Sequence, residues 1–215
     1  MNIDDFSKKL FNLIHIDFKG LNLTSIDSYE DFYHKQIEDS LLPFSLPEFK
    51  SYLEASELMI DVGFGGGFPL LPLSFSFPGK KFIGFDAREK KVKAVNQMAS
   101  SLSITNVKAF HGRIEDYLLD RDCLVTFKAV GDIYKYSEML NLAEDQTVRV
   151  LFYKGQNFES LEQESIIKIL ESTSYSDFKI YDLTLSTGEA RKVCTFVKKV
   201  PRRTTKSLIS LDELV

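Results

Sequence analysis

Over residues 1–18, Phe6, Leu10, Leu13 and Ile14 recur at helical spacing with Ser7, Lys8, Lys9 and Asn12 between them, which predicts an amphipathic helix ended by Gly20. A second helix is predicted from Tyr29 to Leu42, capped by Asp27 or Ser28, before Pro43 and Pro47 interrupt the periodicity. From Leu58 the rhythm changes. Short apolar runs at 58–62, 81–86, 107–110, 123–127, 148–153, 178–183 and 192–199 read as strands, and amphipathic runs near 69–77, 88–102, 134–143 and 159–172 read as the helices between them. Strands alternating with helices imply right-handed crossovers, hence an α/β fold with a doubly wound, mainly parallel seven-stranded sheet. Only STGEAR (186–191) separates the last two runs, which is too short for a helical crossover, so they are expected to form an antiparallel hairpin at one sheet edge. One domain is expected, with residues 1–50 as a helical extension, 51–199 as the core, and 200–215 as a basic, polar and solvated tail.

Composition changes this picture little. A chain of 215 residues, 44% hydrophobic and 27% charged, suits one substantial core. A net charge of −4 argues against a globally basic nucleic-acid binder but leaves room for a local basic patch. Cys123 and Cys194 sit far apart within apolar runs, as reduced core thiols do, which points to the cytosol rather than to a disulfide framework or a zinc site. No apolar stretch reaches the roughly 18–20 residues of a membrane span, and the start of the chain is acidic and lacks a cleavage site. His15, His34 and His111 are scattered and are expected on surfaces or loops, with no metal site.

The chemistry concentrates at 61–73, DVGFGGGFPLLPL, where the first strand hands over to the first core helix. Ligands of open α/β sheets bind outside the carboxyl ends of the strands at such a place. Gly63, Gly65 and Gly67 allow positive φ and close approach of main chain to ligand, and Pro69 suits a helical first turn. The dinucleotide fingerprint G-x-G-x-x-G fails, because its last position falls on Phe68 or Leu70. D-x-G-x-G-x-G, beginning at Asp61, fits a loop under an adenosine ligand that lacks a diphosphate. Asp86 ends the second strand, where an acid accepts ribose hydroxyls, or alternatively caps the following helix. Within HGRIEDY (111–117), either Ile114 flanks an adenine while Glu115 or nearby backbone reads its amino edge, or the segment is a plain capped turn.

The run from Met59 to Val95 resembles the cofactor segment of the class I, Rossmann-like S-adenosylmethionine-dependent methyltransferases. The GFPxxPL continuation, with Pro69 and Pro72, is similar to one branch, the small-subunit ribosomal RNA guanine-N7 methyltransferases (RsmG, once called glucose-inhibited division protein B). LNLTSI (21–26), IEDSL (37–41), GRIEDY (112–117), FKAVGD (127–132), FYKGQ (152–156) and STGEARKV (186–193) follow in that family's order. Three positions depart from its pattern: Gln36 stands for a histidine, Lys128 for an arginine, and Ala190 precedes an arginine, Arg191, shifted by one place.

The resemblance implies S-adenosyl-L-methionine as cofactor, held by Asp61, Gly63, Gly65, Gly67, Phe68, Asp86, Ala87, Ile114, Glu115 and Lys128, the cofactor carboxylate falling to glycine-loop N–H groups and Lys128. Lys128 reads equally well as an exposed strand-end lysine. Guanine N7 carries a free lone pair, so transfer to it requires alignment rather than a general base; Lys128 and Arg191 are the positioning candidates. The implied partner is 16S ribosomal RNA or the small ribosomal subunit, contacted through Arg191, Lys192, Arg202 and Arg203, by a cytoplasmic monomer. The rival readings are a methyltransferase of a small molecule or protein, and an RNA-binding assembly protein that kept the pocket without turnover.

Overall fold

The computed structural model describes residues 1–199 and 207–214. Its strands are β1 (Leu58–Val62), β2 (Lys81–Asp86), β3 (Val107–His111), β4 (Tyr117–Leu119), β5 (Cys123–Lys128), β6 (Asn141–Leu142), β7 (Val148–Lys154), β8 (Tyr175–Thr184), β9 (Ala190–Lys198) and β10 (Ile209–Ser210). Seven of them form one sheet in the order β3-β2-β1-β5-β7-β9-β8, parallel up to β7, with β9 antiparallel to both β7 and β8. This is the expected doubly wound sheet with its edge hairpin. Strand β1, central and covered on both faces, is buried at every residue, whereas β8 at the edge alternates. A bulge between Ser176 and Lys179 interrupts the β8 ladder, with Asp177 at φ 55°.

One face of the sheet is covered by the N-terminal residues. Phe6, Leu10, Phe32, Ile37 and Phe49 are fully buried in the same apolar cluster as Leu70, Leu71 and Val95. Phe6 stacks on Phe75 with centroids 4.3 Å apart, and Phe32 meets Phe68 edge-on at 5.6 Å. The extension is thus a structural layer of the core. The opposite face is built from Ile60, Val125, Phe127, Phe152 and Phe196.

Several elements differ from the sequence pattern for physical reasons. Pro47 starts a helix, Pro47–Ala55, instead of ending one, because a proline at the first helical position gives up an N–H that has no partner there. The first predicted helix ends in a π-helical turn, Leu13–Asp17, and the second holds one, Tyr33–Glu38, in its middle before it resumes as α-helix at Asp39–Leu41. The helix expected at 134–143 stops at Ser137, since Ser137 bonds Tyr175 and Lys198, and Asn141–Leu142 join a sheet instead. That sheet is small and parallel, in the order β10-β4-β6. The helix expected at 159–172 breaks at Glu162, whose carboxylate reaches Lys154 Nζ and the Ile133 N–H. Residues 207–214, expected to be solvated, fold back: β10 pairs with β4, and Leu211 is fully buried.

Candidate functional site

The glycine loop joins β1 to helix Leu70–Ser76 and folds on itself through Gly67 N–H to Phe64 C=O at 2.8 Å and Leu71 N–H to Gly67 C=O at 2.8 Å. Gly63 and Gly65 have φ of 74° and 57°, a region that side chains disfavour. Asp86, at the carboxyl end of β2, accepts the Gly65 N–H at 3.0 Å and the Arg88 N–H at 2.8 Å. It therefore braces the loop, and the next helix begins at Glu89 without a side-chain cap. Beside these groups opens a cleft of about 520 Å³ lined by Gly63, Gly65, Asp86, Ala87, Ile114, Glu115 and Lys128, with Tyr136 and Met139 on the far wall. The volume is that of a small-ligand site.

The other expected cofactor residues lie apart from this lining. Asp61 is fully buried beneath the loop, accepting from Leu70 N–H at 3.1 Å and Thr126 Oγ1 at 3.2 Å; burial pushes its carboxyl up to about 7. It orders the start of the helix. Gly67 has φ 97°, and a Cβ there would lie 2.8 Å from Leu71, so it serves helix packing. Phe68 borders a neighbouring cavity of about 230 Å³ with Leu23, Lys35 and Gln36. Three loop amides are engaged inside the protein, Gly63 N–H with Phe85 C=O at 2.7 Å and those of Gly65 and Gly67 as above, which differs from the expectation that loop amides hold the cofactor carboxylate.

Lys128 is not an exposed lysine. Its side chain is only 11% exposed and its Nζ contacts Asp39 Oδ2 at 2.7 Å, Lys35 C=O at 3.1 Å and Gln36 Oε1 at 3.3 Å; burial lowers its pKa against the pull of Asp39. Arg191 donates from Nε to the other oxygen of Asp39 at 2.9 Å and pairs with Glu189 at 2.7 Å. Asp39 thus bridges two cations, and Gln36, Lys128 and Arg191 converge with it on one cluster. Lys192 pairs with Asp182 at 2.5 Å and Glu159 at 3.1 Å. Arg202 and Arg203 lie outside the described residues.

Two histidines are tethered instead of free on a surface. His15 sits between the carbonyls of Phe11 and Ile26 at 2.9 and 2.8 Å, and His34 meets Glu38 at 2.6 Å and Ser186 at 3.1 Å. His111 is exposed. Both cysteines are buried free thiols, and burial raises both pKa values. Among the described residues no group of three or more His, Cys, Asp or Glu is placed to hold a metal ion, and no helix is long and apolar enough to cross a membrane.

A family model described as rRNA small subunit methyltransferase G matches residues 6–182. The chain belongs to that family. Curated members named ribosomal RNA small subunit methyltransferase G include those of Petrotoga mobilis, 28% identical over 84% of this chain and 80% of the relative, and Thermosynechococcus vestitus, 28% identical over the same shares. The relative from Leuconostoc mesenteroides is 36% identical over 51% of this chain, and there the match spans only 45% of the relative. Among solved structures, a SAM-dependent O-methyltransferase from Thermotoga maritima aligns with TM-score 0.50 and 16% identity over 74% of this chain and 67% of its own. YcgJ of Bacillus subtilis aligns with TM-score 0.51 and 13% identity over 74% and 99%. At these identities the two structures speak for the fold, that of the class I methyltransferases.

Membership in the methyltransferase G family makes the glycine-loop cleft the place to test for cofactor fit. The residues fit: two bare, positive-φ glycines line it, Asp86 accepts one N–H on each oxygen and keeps further lone pairs, and Ile114 and Met139 add apolar lining suited to a purine. Asp39, Ala129 and Gly66 were missed in the sequence. Asp39 lies within the quoted IEDSL, but nothing in one sequence shows that it meets residues 89 and 152 positions away. Ala129, with φ 57°, follows Lys128 directly.

Proposed function

We propose that this member of the methyltransferase G family transfers a methyl group from S-adenosyl-L-methionine to N7 of a guanine in 16S ribosomal RNA. The observation that carries the reading is the cleft: positive-φ Gly63 and Gly65 face Asp86, Ile114 and Glu115 at the carboxyl edge of a methyltransferase sheet. The cofactor, when bound, supplies a methyl on a sulfonium that becomes a neutral thioether. Gly63 and Gly65 let its nucleoside lie against main chain, Asp86 takes ribose hydroxyls, and Ile114 borders the adenine. Because guanine N7 holds no proton, the chain's task is to align the two partners and exclude water, without a general base.

Arg191 and Lys192 are held in close ion pairs with acids, which leaves the exposed Arg88 and the partly exposed Lys91 on the cleft rim as the cations best placed for RNA phosphates, with the exposed Arg113 beside them in a looser pair with Glu115 at 3.7 Å. A cytoplasmic monomer acting on the small subunit or its RNA completes the reading.

Mass spectrometry of 16S RNA from cells with and without the gene tests it: one 7-methylguanosine is expected to vanish with the gene. Calorimetry with S-adenosylhomocysteine is expected to show binding that Gly65→Arg abolishes, since the new side chain fills the cleft. An unaltered nucleoside profile would refute the reaction, and unchanged binding in Gly65→Arg would refute the site.

A further inference from the structure

Lys128 and Ala129 border three cavities at once: the cofactor cleft, the hollow beside Phe68, and a third of about 190 Å³. The third is too small for a nucleoside with its sugar and is walled by Pro43, Tyr153 and Leu183, apolar surfaces suited to a flat ring. At its edge stand Asp39, Lys128 and Arg191, the carboxylate held by Lys128 on Oδ2 at 2.7 Å and by Arg191 on Oδ1 at 2.9 Å. Ala129 adopts a left-handed φ of 57° where the cavities meet, a conformation that a residue with a Cβ keeps only when its surroundings demand it.

We propose that this cavity receives the acceptor base and that Asp39 is its specificity-determining residue, accepting the N1–H and N2–H donors of a guanine. The proposal rests on the methyltransferase reading above and deepens it. A carboxylate has about four lone-pair sites; Lys128 and Arg191 take one on each oxygen, which leaves Asp39, a lining residue of the cavity, one on each oxygen with which to accept two donors side by side. Among the four RNA bases only guanine presents two adjacent donors on its pairing edge. Adenine and cytosine set an acceptor beside their donor, and uracil flanks its donor with acceptors, each of which a carboxylate repels. Guanine N7 lies on the opposite edge of the purine and stays accessible when the pairing edge is held. As N7 gains a substituent the ring becomes cationic and its N1–H more acidic, so the hydrogen bond to Asp39 strengthens along the reaction. Lys128 and Arg191 fix the carboxylate in place and are positioning residues for it.

The experiment is calorimetric titration of the full chain, saturated with S-adenosylhomocysteine, with guanosine, inosine and adenosine 5′-monophosphates. Guanosine monophosphate is expected to bind about tenfold more tightly than inosine monophosphate, which lacks the N2 donor, and adenosine monophosphate more weakly than either. In Asp39→Asn, shown to be folded by an unchanged S-adenosylhomocysteine affinity, the guanosine-to-inosine ratio is expected to fall to within about twofold. Equal affinity for the three nucleotides in the native protein, no binding of guanosine monophosphate, or a retained guanosine preference in Asp39→Asn would each overturn the assignment. The native comparison needs no variant. Binding of S-adenosylhomocysteine without discrimination among the nucleotides would sink the role of Asp39 and leave the cofactor reading standing.

Discussion

Gly66 has neither a positive φ nor a place in the main cleft, yet a Cβ there would lie 2.4 Å from the Leu23 carbonyl oxygen. The glycine-rich loop therefore serves three neighbours: the cleft through Gly63 and Gly65, the N-terminal layer through Gly66, and helix packing through Gly67. Density of glycine was legible in the sequence, but its division was not, because the contact with Leu23 spans the fold. Gly66→Ala is expected to cost about 1–3 kcal/mol, since a carbonyl of the main chain cannot rotate away as a side chain can. Urea unfolding checks this.

Asp61 gives a pH signature at the same scale. Its folded carboxyl, raised by burial to about 7 from the ordinary 3.8, keeps a proton that the unfolded chain has released. The stability it contributes is complete below about pH 4 and is lost as pH rises towards 7, at no more than about 1.4 kcal/mol per pH unit. Asp61→Asn, which can still accept from Leu70 and meet Thr126, is expected to flatten that part of the stability profile. Unfolding midpoints measured between about pH 4 and pH 8 decide it.

The elements show where pattern reading succeeds and stops. The sheet strands were legible because each buries an unbroken or alternating apolar run. Strands β4, β6 and β10 were not, since two or three residues carry no periodicity, and helix Pro47–Ala55 hid behind a proline that starts it. Strand β3 at the sheet edge shows a device that periodicity cannot reveal: Asn96, on helix Glu89–Ser101, donates to Ala109 C=O at 2.8 Å and accepts Ala109 N–H at 2.9 Å. One amide side chain thus occupies the donor and the acceptor that a further strand would claim. Asn96→Leu leaves both without a partner and is expected to destabilise by about 1–3 kcal/mol and to promote self-association, measurable by light scattering.

At the scale of the whole molecule, the cleft is bounded by segments from distant parts of the chain. Motif spacing pointed to the glycine-loop cleft because much of its lining follows single strands, each ending in a short loop. The Asp39 cluster escaped that reading, as its members come from the N-terminal layer, β5 and β9. At the other wall Tyr117 packs on Phe85 with centroids 4.4 Å apart and lies so near Gly112 that a Cβ there would meet its hydroxyl at 2.9 Å. Strand β10 holds that wall from outside, with Leu211 as its anchor and Arg121 paired to Asp212. Leu211→Ala is expected to cost about 2–4 kcal/mol and to weaken S-adenosylhomocysteine binding through the loosened 112–117 segment, the two effects being read by thermal unfolding and calorimetry.

The parallel pairing of β10 with β4 also sets an order of events during synthesis. A growing polypeptide can lay down β1, β2 and the glycine loop early, yet the outer support of the 112–117 wall of the cleft arrives only when Leu211 has cleared the ribosomal tunnel. Chains not yet extended past Leu211 would then lack the outer support of the 112–117 segment and bind a ligand in the cleft poorly.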